Sequence, residues 1–95
     1  MHYTWDEGKN RRNLKLHGIG FEDAIRIFEG PTLERMDDRY AYGEERVYAI
    51  GLVEGLEVTV IYTDIDEEER RIISAWRSEP QERRSYWKVV GRKNQ

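Results

Sequence analysis

The chain has 95 residues, enough for one compact core and too few for two, so residues 1–95 are expected to form a single domain. With 38% hydrophobic, 37% charged and 12% aromatic residues it is polar yet too aromatic for a disordered tail, and the absence of cysteine excludes a disulfide scaffold, a thiol nucleophile and any Cys-ligated metal. The net charge of -3 hides a segregation along the chain: four bases face two acids in residues 1–18, four face fifteen in 19–69, and eight face two in 70–95. Such a pattern suggests a basic surface built by the two ends and an acidic middle suited to a basic partner, although solvated faces of opposite sign would read the same way.

The elements follow in chain order. Asp6 is a good N-cap for a short polar helix over Lys9 to His17, and Gly18 is its C′ stop. Phe21, Ala24, Ile25 and Phe28 recur at helical spacing, with Glu22 and Asp23 suited to the N-terminal end of the dipole, and Gly30-Pro31 ends that second helix. The pattern then changes to strands over Leu33–Met36, Arg46–Val53, Leu56–Thr63 and Arg70–Trp76. Glu54-Gly55 makes a tight hairpin and Asp64 to Glu68 a longer acidic turn, so these short connections predict an antiparallel sheet of three to four strands. Ser78-Glu79-Pro80-Gln81 has the form of a capping box, predicting a C-terminal helix from about Glu79 toward Lys93. The expected class is α+β: two N-terminal helices, the sheet, and a C-terminal helix, with Trp5, Phe21, Ala24, Phe28, Val58, Val60 and Ile72 in the core.

Searching for chemistry by motif is mostly negative. Gly18-Ile19-Gly20, and Gly51 with Gly55, lack the strand-then-helix context of a phosphate loop. His2 and His17 do not make a metal pair, Asp64 to Glu69 lacks the glycine and spacing of a calcium loop, and Ser74 and Ser78 have no histidine-plus-acid arrangement to activate them. No cofactor and no metal are expected. The longest apolar run, Val58 to Tyr62, is far short of a membrane span and Met1 to Lys9 lacks a signal-peptide core, so a cytoplasmic protein without membrane contact is expected.

A set of residues does carry a signal. Trp5-Asp6, Lys9, Asn13, His17-Gly18, Phe21-Glu22-Asp23-Ala24 and Phe28 resemble the opening signature of the BrnT toxin family. So do Gly43-Glu44-Glu45-Arg46, Gly51, Arg71-Ile72-Ile73-Ser74-Ala75 and the closing Glu82-Arg83-Arg84-Ser85-Tyr86, in the family's order from Trp5 to Tyr86. The resemblance implies an endoribonuclease toxin of a type II toxin–antitoxin system with a RelE-like fold. It also implies an RNA substrate and a BrnA-like antitoxin, through which alone the complex would touch operator DNA. Two positions depart from the family: Leu16 stands where it commonly has lysine, and Trp76 where it commonly has arginine. The second departure opens an alternative, a non-catalytic toxin relative that binds its antitoxin and tunes operon repression.

RNA cleavage without a metal needs a 2′-hydroxyl deprotonated, a leaving oxygen protonated and a phosphorane dianion held by fixed positive charge. Arginine suits the last task because its planar fork bonds two phosphate oxygens and keeps its charge. Arg71 and Arg77 share one face of an unbroken strand, about 20 Å apart at ~3.3 Å per residue, and are assigned to neighbouring phosphates or to a phosphate and a helix. Arg71 equally fits an ion pair with Glu45 or Glu57 across strands. Glu82 and Tyr86 lie one helical turn apart, Glu82 as a general base or a bridge to Arg71, Tyr86 as a stacking or proton-donating group or a core aromatic. His17 is an acid or base candidate and equally a helix-end cap. Lys9, Arg12, Arg46 and Arg83 complete the expected site as RNA-binding cations.

Overall fold

The computed structural model describes residues 1–39 and 41–93, the last two for their backbone only. Five strands, β1 (His2–Thr4), β2 (Leu33–Met36), β3 (Val47–Val53), β4 (Leu56–Asp64) and β5 (Glu69–Arg77), form one sheet in the order β1-β5-β4-β3-β2. Neighbours are antiparallel except β1, which runs parallel to β5 with Thr4 opposite Arg71. The sheet is therefore mixed and five-stranded, where the sequence predicts an antiparallel sheet of three or four strands. A three-residue strand is too short to show a period of two, and a parallel partner 67 residues on leaves no turn signal.

The helix α1 (Glu7–His17) forms as its termini dictate: the Asp6 carboxylate accepts from the Lys9 N–H at 2.9 Å, and Gly18 closes the helix in the left-handed region (φ 75°) with its N–H on the Leu14 carbonyl. The second predicted helix is half as long in α form, α2 (Phe21–Ala24), and tightens into a 3-10 helix over Ile25–Glu29. The C-terminal helix α3 spans Pro80–Lys93, but its cap is shifted by one residue from the expected box. Glu82, not Gln81, reaches back to an N–H, that of Glu79 at 2.6 Å, while the Ser78 hydroxyl is buried against that of Thr59.

Three layers result, with the sheet in the middle. On one side Phe21, Ala24 and Ile27 pack with Ala49, Val58, Val60, Tyr62, Ile72 and Ala75, and the expected core residues Trp5 and Phe28 pack against them, partly buried. On the other, α3 lays Tyr86 and Val90 on Ile50. Asn10 and Asn13 tie α1 down. Asn13 bridges the free edge of β5, donating to the Ala75 carbonyl at 2.8 Å and accepting its N–H at 3.2 Å, as a neighbouring strand would; Asn10 accepts the Phe21 N–H at 2.8 Å. Among the described residues no helix is long and apolar enough to cross a membrane.

One irregularity changes the site. Ile61 pairs with Ser74 but Tyr62 with Ile72, so Ile73 has no partner on β4 and β5 is bulged there. Ile72 and Ala75, three apart, both reach the same core layer. The alternation that would place Arg71 and Arg77 on one face is broken between them, and the expectation of a shared face is corrected accordingly.

Candidate active site

The end of α1, the end of β5 and the start of α3 meet around a cleft of about 550 Å³. From α1 come Leu16 and His17; from β5, Trp76 and Arg77; from the α3 start, Glu79, Gln81 and Glu82; and from the loop after β2, Arg39. Asn13 explains why α1 ends here, since its amide fixes the helix along β5 and delivers His17, one turn further on, beside the end of that strand. The His17 and Trp76 rings lie 6.2 Å apart, tilted by 48°. Arg77 also borders a second cleft with Ile19, Asp23, Arg26 and Val58; its guanidinium makes no side-chain hydrogen bond or ion pair among the described residues, but with the Trp87 hydrogen bond its charge helps to hold the Glu57 carboxyl below its ordinary pKa. Arg39 is held by Asp37 in a two-pronged pair at 2.7 and 3.0 Å. The Asp37 carboxylate also accepts from the Tyr42 hydroxyl and is buried, and the Arg39 guanidinium holds its pKa below the ordinary value.

Glu82 is the floor of the cleft. Only 8% exposed, it accepts from Trp76 Nε1 at 3.1 Å, from Thr59 Oγ1 at 3.2 Å, from the Glu79 N–H, and from the Tyr48 hydroxyl. Burial and the Glu82 carboxylate push the Tyr48 hydroxyl well above its usual value, so Tyr48 remains a donor across the physiological range. Four donors around one carboxylate make it a fixed acceptor that orients the Trp76 indole. The alternative bridge from Glu82 to Arg71 is not formed, while Glu82 and Tyr86, one turn apart, both face the sheet, on Thr59 and Ile50.

The remaining expected residues are dispersed. Arg71 lines a separate cleft with Thr4, Trp5, Asp6 and Lys9, and its ion pair is with Glu69 at 3.7 Å, two residues back on its own strand. Lys9 and Arg71, one from each end of the chain, thus line one cleft, together with the acidic Asp6. Arg12 is exposed on α1. Arg46 lies over the Tyr42 ring at 3.9 Å and pairs with Glu44 at 3.2 Å. Arg83 donates to the Ser78 carbonyl at 2.8 Å. Tyr86 is fully buried with its hydroxyl on the Pro31 carbonyl at 3.0 Å, which is the core-aromatic reading of that residue. Arg39, Glu79 and Gln81 are additions to the residues the sequence predicts: Arg39 sits in an aperiodic loop, and the only signal for Glu79 and Gln81 is their position at a helix start. Among the described residues no three His, Asp or Glu side chains converge as metal ligands.

Curated proteins contain no match to the chain. Among solved structures the chain is similar to the crystal structure of the ribonuclease toxin BrnT of Brucella abortus, at 26% identity over 83% of this chain and 99% of that one, with a TM-score of 0.63. The model of the family described as the ribonuclease toxin BrnT of type II toxin–antitoxin systems matches residues 5–82, which span α1, the whole β2–β5 region and the Glu82 cap. By that match the chain belongs to the BrnT ribonuclease toxins of type II toxin–antitoxin systems.

Proposed function

We propose that this protein is an endoribonuclease that cuts RNA without a metal ion, with the reaction centred on the cleft between His17 and Arg77, and that a BrnA-like antitoxin neutralises it. The observation that carries the reading is the convergence of His17, Arg77 and Arg39 on one cleft, an imidazole together with two guanidiniums. In this scheme the 2′-oxygen attacks the adjacent phosphorus, the 5′-oxygen leaves, and the products are a 2′,3′-cyclic phosphate and a 5′-hydroxyl. His17 takes the proton of the attacking 2′-hydroxyl, water supplies the proton that turns the departing 5′-oxygen into a hydroxyl, and Arg77, which has no ion pair among the described residues, bonds the phosphorane oxygens. Lys9 and Arg71 hold a flanking phosphate, Arg12 adds charge along α1, and Glu82 is a positioning residue. The test is cleavage of single-stranded RNA by the purified chain in EDTA, with the product ends identified. Persistent cutting to cyclic phosphate ends, lost in His17→Ala, supports the reading. Activity abolished by chelation and restored by one divalent ion overturns it.

Trp76 favours a second reading. An indole committed to Glu82 occupies the position where the family commonly has arginine, which suits a chain that only binds its antitoxin and tunes the operon. Growth arrest on expression separates the two: the second reading requires none.

A further inference from the structure

We infer that Trp76 is a base-stacking platform: a nucleobase of the RNA, preferentially a purine, lies on the exposed face of its indole inside the His17–Arg77 cleft. This rests on the ribonuclease reading and adds to it what holds the base next to the reacting phosphate.

The indole is half-buried and lines the cleft, and its orientation is set from behind, because Nε1 donates to Glu82 Oε1 at 3.1 Å. That oxygen also accepts the Glu79 N–H and the Thr59 hydroxyl, so the acceptor is itself fixed by the start of α3 and by the strand next to Trp76. A ring tethered by its N–H cannot turn that edge outward, so the part of the half-buried indole that borders the cleft is its carbon surface. His17 lies 6.2 Å away at 48°, in contact range of the indole but not stacked on it. Arg77 follows Trp76 directly in the strand and reaches the same cleft, so a phosphate on Arg77 places its own or the next base within reach of the indole. Stacking on an aromatic face accepts any base, and the larger area of a purine gives it the advantage. An arginine at this position would add charge; the tryptophan instead contributes a flat apolar surface, which changes how the cleft selects RNA.

The test compares Trp76→Phe with Trp76→Leu. Both lose the hydrogen bond to Glu82, so a purely structural role predicts equal effects, and thermal melting reports any common loss of stability. The probes are uncleavable 2′-O-methyl hexamers of adenosine and of uridine, with affinity read by anisotropy. Trp76→Phe should bind the adenosine hexamer within about threefold of the unaltered chain, and Trp76→Leu roughly 5- to 150-fold more weakly, the range for one stacked base. In a Trp5→Phe/Trp87→Phe background, the remaining indole fluorescence should be quenched on binding. Equal affinities for the two variants, or no fluorescence change at saturation, overturn the proposal. Cleavage is scored separately on the unaltered chain: cutting with a silent Trp76 removes the platform alone, and stacking without cutting removes the ribonuclease reading alone.

Discussion

Arg77 is the cation at the end of β5 that borders two clefts and is not tied to a carboxylate among the described residues. If it carries transition-state charge, Arg77→Ala should lower RNA cleavage by about 10²-fold or more, with little rescue by lysine, whose point charge cannot bond two oxygens at once. Because the side chain is exposed, the melting temperature should hardly change, so an assay of rate beside a melting curve decides whether the loss is chemical or structural. Asp37 presents the opposite case, a buried carboxylate whose role is to hold the Arg39 side of the cleft. Its pKa is lowered in the fold by the Arg39 hydrogen bonds, so it stabilises the folded chain above its unfolded value, and that contribution is lost as pH falls through the lower folded value. Asp37→Asn should therefore be less stable than the parent at pH 6, and the gap should shrink in urea titrations carried toward pH 3. A gap that stays constant over that range would place no titration at Asp37.

Between elements, two contacts decide how the layers sit. The N-terminus of α3 is held by Glu82, whose carboxylate gathers donors from β3, β4, β5 and the helix start itself. Removing it in Glu82→Ala leaves buried hydroxyl and indole donors without an acceptor, and should cost about 2–4 kcal/mol, measured as the shift in chemical unfolding. β3 approaches the 3-10 helix at Gly51, where an added Cβ would stand 2.7 Å from Ile27 Cβ and 3.1 Å from the Ile27 carbonyl oxygen. Gly51→Ala should destabilise by about 1–3 kcal/mol through overpacking, because the obstructing atoms belong to a fully buried residue and to backbone. The hairpin between β3 and β4 is limited by backbone conformation instead of space: Glu54 and Gly55 both take positive φ in a two-residue turn, and although nothing lies within 4 Å of a Cβ added at Gly55, its φ of 79° would strain any side-chained residue.

For the whole molecule the governing feature is charge. Residues 19–69 hold an excess of eleven negative charges, while α1 along β5 brings the basic ends together at Lys9 and Arg71. Ion pairs such as Arg26–Glu54 and Arg70–Asp64 offset part of that excess, and the remainder gives the segment a net attraction for a basic partner. An antitoxin with a basic segment would be drawn to the acidic part, so its association rate should fall steeply as salt rises from 0.05 to 0.5 M around a Debye length of ~10 Å at 0.1 M, while dissociation changes less. Stopped-flow association that ignores salt would show that charge does not steer this encounter.

Features set by neighbours in the chain were legible in the residues. Asp6 and Gly18 bound α1, Glu54-Gly55 makes the hairpin, and β3, β4 and β5 lie within one residue of their predicted bounds, because caps, turns and strand-forming runs depend on a few adjacent residues. The family resemblance was legible for the same reason, as motifs in order. What only the tertiary structure decided depends on pairings between distant segments. The parallel seat of β1, the bulge at Ile73 that separates Arg71 from Arg77, and the shift of the α3 cap from Gln81 to Glu82 each arise where one strand or helix meets another. So does the assembly of the cleft, which needs Asn13 to hold α1 against β5 so that His17 faces Trp76 across 59 residues of sequence. A side chain's neighbours in sequence cannot specify such contacts; they are chosen by which surfaces the core buries together.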